Sequence, residues 1–199
     1  MLNFLSIDSC SSSPSVSIFI KNQLLDTLQI HNISSSGLAK LTSDILFKNK
    51  LKISDLNYIT VTIGPGSYTG IRVGLSLTQG LCYSSNLPIA PVNILDTFTL
   101  GLKIKNDSIF ALYSHGDFAF CQFPLENSIK LININQLKNK NVIGMGLEEY
   151  KGVINYKEVD FSSAMVGMYS IKNYKKIICE DIGNIEPIYL NEYRSNLKI

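Results

Sequence analysis

Tryptophan is absent from this chain of 199 residues, and only two histidines, His31 and His115, occur in it. Neither histidine belongs to an H-x-x-x-H or H-E-x-x-H pair, which excludes a zinc site built mainly from histidine. The four cysteines lie far apart and form no C-x-x-C pair, which is typical of a protein of the reduced cytoplasm. No serine lies in a G-x-S-x-G turn, so the sequence contains no sign of a serine hydrolase.

Strong charge of either sign is also missing, because the formal net charge is only +2 and 45% of the residues are hydrophobic. A protein that holds nucleic acid by itself usually concentrates cations on one face. If RNA is a ligand, we therefore expect another protein to hold it. The longest uncharged stretch, residues 73–95, contains polar residues and two prolines, so no transmembrane span is predicted. The N-terminal residues lack the pattern of a signal peptide, and we expect a cytoplasmic location.

Short runs of β-branched and aromatic residues dominate the beginning of the chain. LNFLSID, SVSIFI and LLDTLQI are separated by turns rich in Ser, Pro and Asn, which predicts three antiparallel strands. Helical spacing of the apolar residues in SSSGLAKLTSDILFKNK predicts a helix, capped by one of residues 34–36 and ending near Lys48 and Lys50. A strand at YITVTI, a glycine-rich loop and a second helix from about Gly70 to Ser85 complete the order βββαβα.

The second half carries a fainter version of the same order. DSIFALY and DFAFCQF predict a hairpin around SHGD, IKLINI and NVIGMG predict two further strands, and SSAMVGMYSIKNY predicts a helix. No sequence repeat accompanies this pattern. The interpretation is an α/β protein of two related lobes, residues 1–100 and 101–199, of which the second is smaller.

The glycine-rich loop between strand and helix, TIGPGSYTGIRVG, has two interpretations. Such a loop can direct backbone N–H groups and the positive end of the helix dipole at a phosphate. Its spacing is G-x-G-x-x-x-G, and no G-K-[ST] follows, so it matches neither standard phosphate motif. Alternatively, the glycines make a sharp turn, Thr69 caps the helix, and Gly70, Gly74 and Thr78 form a small stripe for close helix packing. The local pattern favours packing. The loop residues considered for phosphate are Gly64, Pro65, Gly66, Ser67, Thr69, Gly70 and Arg72.

Two charged residues near this loop are candidates for function. Arg72 falls in the first turn of the predicted helix, where a cation opposes the helix dipole, so we expect it to have a carboxylate, phosphate or carbonyl partner. Asp8 ends the first predicted strand, where its carboxylate could hold Mg²⁺ through water. Asp8 could equally cap a turn by accepting hydrogen bonds from the amides of the residues that follow.

The motif FLSIDSCSSSPSVSIF, followed after the first helix by GPGSYTGIRVGLSLTQGLCYSSNLPIAPVNIL, resembles the TsaB (YeaZ) family. The glycine motif with Arg72 and Gly74 is highly specific to that family. The resemblance covers residues 1–100 well and the second half more loosely, through VIGMGLEEY and EPIYL. It implies the actin-like ATPase (ASKHA) fold of two related βββαβα lobes, with the second lobe reduced. It also implies a role in making N6-threonylcarbamoyladenosine (t6A) at position 37 of tRNA.

The implied role is that of a non-catalytic scaffold, not of an enzyme. Members of this family are partners of the transferase TsaD, and the pair works with the ATPase TsaE. After the equivalent glycine motif TsaD carries a metal-binding H-x-x-x-H, whereas this chain has Ile94 and Phe98 at those places. Neither side chain can coordinate a metal, so the resemblance implies no catalytic residue and no metal site. It implies binding of tRNA only within the complex.

The resemblance places the surface that docks on TsaD on the two helices of the first lobe. It implies a homodimer through the same surface when the chain is alone, and ATP or ADP at the partner interface rather than bound by this chain itself. These helices would then need apolar residues for both core and interface. The residues predicted to contact the partner are Leu38, Leu41, Ile45, Gly70, Gly74, Thr78 and Leu81.

Three positions depart from the family pattern: Ser34, residues 113–115 and Asn191. Because of these departures, the resemblance gives less support to residue roles in the second lobe and to a nucleotide site between the lobes. A different function class therefore stays open, a small nucleotide-binding ATPase or kinase of the actin-like fold. It would use Asp8 with Mg²⁺ and the glycine loop on phosphates.

Overall fold

The first half of the chain is built around a five-stranded mixed sheet with the strand order β3-β2-β1-β4-β5. The structure is a computed structural model that describes residues 1–30, 35–100, 108–123 and 128–190. The central strand β1 is antiparallel to β2 and parallel to β4, and every residue of β1 and β4 is buried. The strands are β1 (Phe4–Asp8), β2 (Ser15–Ile20), β3 (Gln23–Gln29), β4 (Tyr58–Thr62) and β5 (Ile89–Val92).

Strand alternation sends the side chains of this sheet to two different helical layers. Leu5, Ile7 and Ile59 point to one face, where they share a core with α1 (Ser35–Lys48) and α2 (Tyr68–Ser85). Phe4, Phe19 and Tyr58 point to the other face, where they pack against α4 (Ser163–Ile177). The sheet is therefore covered on both sides, which explains why every residue of β1 and β4 is buried.

Helix α4 lies late in the sequence but packs on the first sheet. Its N-terminal residue Ser163 accepts a hydrogen bond through its carbonyl from the Ser6 hydroxyl at 2.6 Å, and its hydroxyl lies 2.6 Å from that of Ser17. These serines are fully buried, so the hydrogen bonds satisfy polar groups that would otherwise be costly inside the protein. The division at residue 100 stays a prediction, because a helix of the second half completes the core of the first.

The second half has its own five-stranded sheet, with the order β10-β9-β6-β7-β8. The strands are β6 (Ile109–His115), β7 (Phe118–Gln122), β8 (Ile129–Asn133), β9 (Asn141–Met145) and β10 (Asn155–Glu158). Where the first half inserts α1 and α2 between strands, the second half has only the 3-10 turns Ile134–Leu137 and Glu148–Tyr150. The second lobe is therefore reduced, because short turns replace two helices.

The predicted strands and long helices are confirmed, and three elements were missed. These are β5, the short α3 (Ile94–Thr97) and β10. The helix predicted from about Gly70 begins earlier, at Tyr68. Asn86, directly after its last residue, takes the left-handed conformation that ends many helices. Among the described helices, none has both the length and the apolar character needed to cross a bilayer.

Candidate functional site

The turn after β1 is organised by Asp8, whose side chain has no exposed surface. One carboxylate oxygen accepts hydrogen bonds from the Thr62 hydroxyl at 2.8 Å and the Cys10 amide at 3.1 Å, and the other accepts one from the Ser11 hydroxyl. Burial raises the pKa of Asp8, while these hydrogen bonds oppose the shift. Of the two predicted roles, the structure shows the turn-capping one. Binding of Mg²⁺ by Asp8 through water stays a prediction.

The glycine loop packs against the β1–β2 turn. Gly64 and Gly66 have φ angles of 116° and 149°, which side chains other than glycine rarely adopt. A β-carbon on Gly66 would lie 2.5 Å from the carbonyl oxygen of Cys10, and the amide of Ser67 donates to that same oxygen at 3.1 Å. The loop is therefore shaped by contact with its own chain.

The first turn of α2 is capped by Ser67 and not by Thr69. The Ser67 hydroxyl accepts a hydrogen bond from the Gly70 amide at 3.1 Å, whereas Thr69 is exposed. Ser67 takes the role because it is the last residue before the helix begins, which is where a capping side chain reaches the helical amides. Two of the backbone amides considered for phosphate, those of Ser67 and Gly70, are thus already bonded to the protein.

Gly70 and Gly74 allow α2 to approach the end of β1. A β-carbon on Gly70 would collide with the carbonyl oxygen of Ser9, and one on Gly74 would collide with the Ser9 hydroxyl. Thr78, the next member of the stripe, is fully buried as well. The stripe therefore serves close packing, as the local pattern favours, and the packed surface is the chain's own first sheet.

The residues predicted to contact a partner need correction on this point. Leu38, Leu41 and Ile45 of α1 belong to the core formed with the first sheet, and so does the face of α2 that carries Gly70, Gly74 and Thr78. Leu81 is partly buried against the same core. These side chains face inward because the sheet must be covered by an apolar layer, so a partner surface on α1 and α2 has to use other residues of the helices.

The opposite face of these two helices is open to solvent. Phe47 of α1 and Tyr83 of α2 are 86% and 83% exposed. A β-carbon on Gly80 would meet no atom within 4 Å, which places Gly80 on the outward side of α2. The other exposed residues of α2 are Tyr68, Thr69, Arg72, Ser76 and Ser84, and α1 exposes Lys40, Asp44 and Lys48 beside Phe47.

Arg72 has aromatic partners in place of the expected carboxylate, phosphate or carbonyl. Its guanidinium lies 4.1 Å from the ring centroid of Tyr68, and its Nε donates to the Tyr189 hydroxyl at 2.9 Å. The hydrogen bond to Tyr189 raises the pKa of Arg72 further, so the side chain stays charged. Tyr68 is four residues before Arg72 in sequence and is found by helical spacing, but Tyr189 has no local signal.

A cleft of about 550 Å³ separates the glycine loop from the second sheet. Ser11, Ser12 and Ser67 line one side, and Tyr113 and His115 line the other. The lining contains no Asp, Glu, Lys or Arg, and the imidazole Nδ1 of His115 lies 2.9 Å from the Ser114 hydroxyl. A nucleotide with Mg²⁺ would find hydroxyl groups here, while the carboxylates of Glu148, Glu158 and Asp160 line an adjoining pocket that shares Ser11, Ser12, Met145 and Gly146. The other histidine, His31, lies outside the described residues.

Comparison with known proteins places this geometry in a family. A family model described as TsaD, tRNA N6-adenosine threonylcarbamoyltransferase, matches residues 32–117. The protein TsaB of Buchnera aphidicola subsp. Acyrthosiphon pisum is 32% identical over 144 residues, which cover 71% of this chain and 61% of that protein. TsaB of Escherichia coli is 36% identical over 66 residues, covering 33% of this chain and 29% of that protein. The matches thus span less than two thirds of the length of these relatives.

The solved structure of YeaZ from Pseudomonas aeruginosa has the same fold. It superimposes with a TM-score of 0.75 at 17% identity and covers 96% of this chain and 100% of that one. The chain is therefore similar to the TsaB (YeaZ) proteins in sequence and in fold. Its fold is the actin-like ATPase fold expected from the resemblance, with two five-stranded mixed sheets and their helices.

The two positions at which the resemblance implies histidines in TsaD lie in the core of this chain. Ile94 and Phe98 are fully buried and share a cluster with Val92, Phe110 and Val166. Ile94 opens α3, which Asn93 caps by accepting a hydrogen bond from the Leu95 amide at 3.0 Å. In the part of the chain that the structure describes, no three His, Cys, Asp or Glu side chains are grouped closely enough to hold a metal ion.

Proposed function

We propose that the chain is a non-catalytic subunit in the biosynthesis of N6-threonylcarbamoyladenosine in tRNA. Its curated relatives carry that process in their names, as tRNA threonylcarbamoyladenosine biosynthesis proteins. The family model that matches its centre is described as the corresponding transferase. A chain with the fold of that system and apolar side chains at the positions of the transferase histidines is best suited to support a catalytic partner.

The observation that carries the proposal is the two-sided character of α1 and α2. Their inner faces complete the core, yet their outer faces expose Phe47 and Tyr83 almost fully. The exposed residues of α2 include the small Ser76 and Gly80. Small residues let another helix approach closely, and exposed aromatics supply most of the apolar area of an interface.

The partner that fits this surface is the TsaD-like transferase, with TsaE as a further component. Because TsaD shares the fold of this chain in the matched region, it would offer a similar pair of helices, and the two pairs would pack as a four-helix layer. In the absence of TsaD, a second copy of the chain would occupy the same surface. We place ATP or ADP at the interface between subunits and tRNA on the assembled complex.

The alternative function, an independent nucleotide-binding ATPase or kinase, has less support. The lining beside the glycine loop contains no charged side chain, and the Asp8 carboxylate accepts hydrogen bonds from Thr62, Cys10 and Ser11. Phosphoryl transfer depends on cations and metal ions that neutralise the phosphates, and neither this lining nor that of the adjoining pocket contains a Lys or Arg. Calorimetric titration with ATP and Mg²⁺ tests the alternative directly, because micromolar binding by the isolated chain would favour it.

Size-exclusion chromatography with light scattering tests the proposed complex. The purified chain is run alone and with the transferase encoded in the same genome, as the natural sequence and as Gly80→Glu. Glutamate at position 80 has open space in the monomer and is a better helix former than glycine, so the fold is retained. Inside the proposed interface it would be an unpaired buried charge, which weakens association about 100-fold or more.

Gly152→Glu is the matched control. A β-carbon on Gly152 also meets no atom within 4 Å, and this residue lies in the second half, away from α1 and α2. We expect a heterodimer for the natural chain and for Gly152→Glu, and separate species for Gly80→Glu. Equal assembly of both variants would place the partner on another surface. Failure of the natural chain to bind the transferase at all would remove the proposal.

A further inference from the structure

A groove of about 470 Å³ lies on the α4 side of the first sheet, far in sequence from the glycine loop. It is bordered by the N-terminal residues, by the β2–β3 turn and by the C-terminal half of α4. We call it the lysine groove. Its lining consists of Met1, Leu2, Asn22, Tyr58, Ile171, Lys172, Asn173, Tyr174, Lys175 and Lys176.

The rim of the lysine groove is cationic and uncompensated. Lys172, Lys175 and Lys176 are all exposed, and their spacing of three and four residues puts them on neighbouring turns of one helix. No Asp or Glu is part of the lining, and none of the three lysines forms an ion pair among the described residues. The sequence shows only a modest net charge, but here three cations meet in one concave surface.

The floor of the lysine groove is aromatic and firmly held. Tyr174 packs against Tyr58 at a centroid distance of 4.9 Å, and Tyr58 stacks on Phe4 at 4.4 Å. The Tyr58 hydroxyl is 3.0 Å from that of Ser170, so the ring is fixed at both ends. Tyr174 is only partly buried, which leaves part of a fixed aromatic side chain beside the lysines.

We infer that the lysine groove binds the sugar-phosphate backbone of RNA, with Tyr174 in position to contact an unpaired base. Cationic side chains that follow a backbone beside an aromatic ring are the combination by which proteins hold single-stranded nucleic acid. The inference rests on the proposed function, because that function makes tRNA the natural polyanion. It goes beyond that function by assigning part of the RNA contact to this chain itself.

Helix stabilisation and membrane binding each explain fewer features of the lysine groove than RNA binding does. Cations in the last turn of a helix stabilise its dipole, but only Lys175 and Lys176 are in that turn, and Lys172 lies before it. A helix that lies on a membrane inserts an apolar face into the lipid, whereas the apolar residues of α4 that border the groove, Ile171 and Tyr174, pack against the first sheet. RNA is therefore the polyanion that best fits a concave, lysine-rimmed surface with an aromatic floor.

Fluorescence anisotropy with a labelled, unmodified tRNA transcript tests the inference at several salt concentrations. It uses the whole chain, alone and mixed with the transferase. The test variant is Lys172→Gln, Lys175→Gln and Lys176→Gln together. The matched control is Lys138→Gln, Lys140→Gln and Lys157→Gln, three exposed lysines of the second half that change the net charge equally. A third variant, with arginine at 172, 175 and 176, keeps the charge.

We expect the test variant to bind RNA about tenfold or more weakly near 0.1 M salt, with the salt slope reduced by about two to three. The control and the arginine variant should bind like the natural chain.

Equal affinity of test and control variants would overturn the inference, and so would the absence of RNA binding in every sample. Loss of thermal stability with unchanged RNA affinity would assign the lysines to the helix dipole. Binding to anionic phospholipid vesicles but not to RNA would assign the groove to lipid and also overturn it.

The outcomes separate this inference from the proposed function. If the test variant still binds the transferase and supports t6A formation with undiminished RNA affinity, the groove assignment fails and the function stands. If the lysines bind RNA but the natural chain neither binds the transferase nor supports t6A formation, the proposed function fails and the groove stands.

Discussion

Ser9 and Gly74 lie so close together that a β-carbon on Gly74 would overlap the serine hydroxyl. The Ser9 hydroxyl is buried and has no hydrogen-bond partner among the described residues, so no polar contact accounts for the proximity. The cause is steric, because α2 can cross the end of β1 only where the helix lacks side chains. The outward Gly80 of the same helix meets no such restriction.

We predict opposite effects of the same substitution at these two glycines. Gly74→Ala overpacks the contact with Ser9 and should lower the free energy of unfolding by about 1–3 kcal/mol. Gly80→Ala adds a better helix former in open space and should raise it by about 0.5–1 kcal/mol. Urea unfolding monitored by circular dichroism measures both. A Gly74→Ala variant as stable as the natural chain would show that the close approach has no energetic consequence.

Asp8→Asn should destabilise the fold by about 1–3 kcal/mol, because the amide keeps one accepting oxygen and turns its NH₂ toward a donor.

The difference in stability between the natural chain and Asp8→Asn should depend on pH. Burial raises the folded-state pKa of Asp8 above 3.8, so the stability that its protonation contributes is fully present below that pH and is lost as pH rises through the folded pKa. Asparagine cannot titrate, so the two stabilities should converge with rising pH. Unfolding curves measured from acid to neutral pH check this, and divergence with rising pH would mean a depressed pKa.

Arg72→Lys should loosen the segment after the 3-10 turn Ile182–Asn184 without changing the overall fold. Lysine keeps the charge but loses both the flat contact with Tyr68 and the Nε hydrogen bond to Tyr189. The neighbouring Ile188 amide, which donates to the Ile63 carbonyl at 2.8 Å, should then exchange faster with deuterium. Exchange at amides of β1 serves as the internal control. Unchanged exchange at Ile188 would show that the arginine does not hold this segment.

Thiol labelling should distinguish Cys179 from the other three cysteines. Burial raises the pKa of Cys82 and of Cys121 to about 12, and it raises the pKa of the fully buried Cys10 as well. Since the thiolate is the reactive species, these three should react slowly with a disulfide reagent near pH 8 in the native state. Cys179 is only partly buried and should give the fast phase. Cys179→Ser should remove that phase, and denaturant should restore reaction at all the remaining thiols.

Two of the three elements that the sequence did not reveal, β5 and β10, are short edge strands. Pro91 interrupts the apolar pattern of β5, and a proline is tolerated there because β5 lies at the edge of its sheet. In β10, which is also an edge strand, three of the four residues are exposed, so no apolar alternation marks it. Polar edges protect sheets from pairing with other chains, and the same polarity conceals them in a sequence.

The residues predicted to contact a partner lie in the core for a related reason. Leu38, Leu41 and Ile45 form the apolar stripe that the sequence displays, and a core buries such a stripe first. Phe47 and Tyr83 are the most exposed aromatics of the two helices. The sequence does not distinguish them, because each directly follows two residues of the core cluster. Arg72 was singled out correctly, but its partner Tyr189 is 117 residues away along the chain.

The sequence by itself determined the order of the major strands and helices, the two-part α/β design and the resemblance to one family, since each depends on local periodicity or on a contiguous motif. The tertiary structure decided the direction in which each stripe points. Gly70 and Gly74 differ from Gly80 in the side of α2 on which they lie. Only the packing of α2 on the sheet makes one side buried and the other exposed. The tertiary structure also decided that Tyr58 packs against Tyr174 beside the three lysines, because Tyr58 is distant from them in sequence.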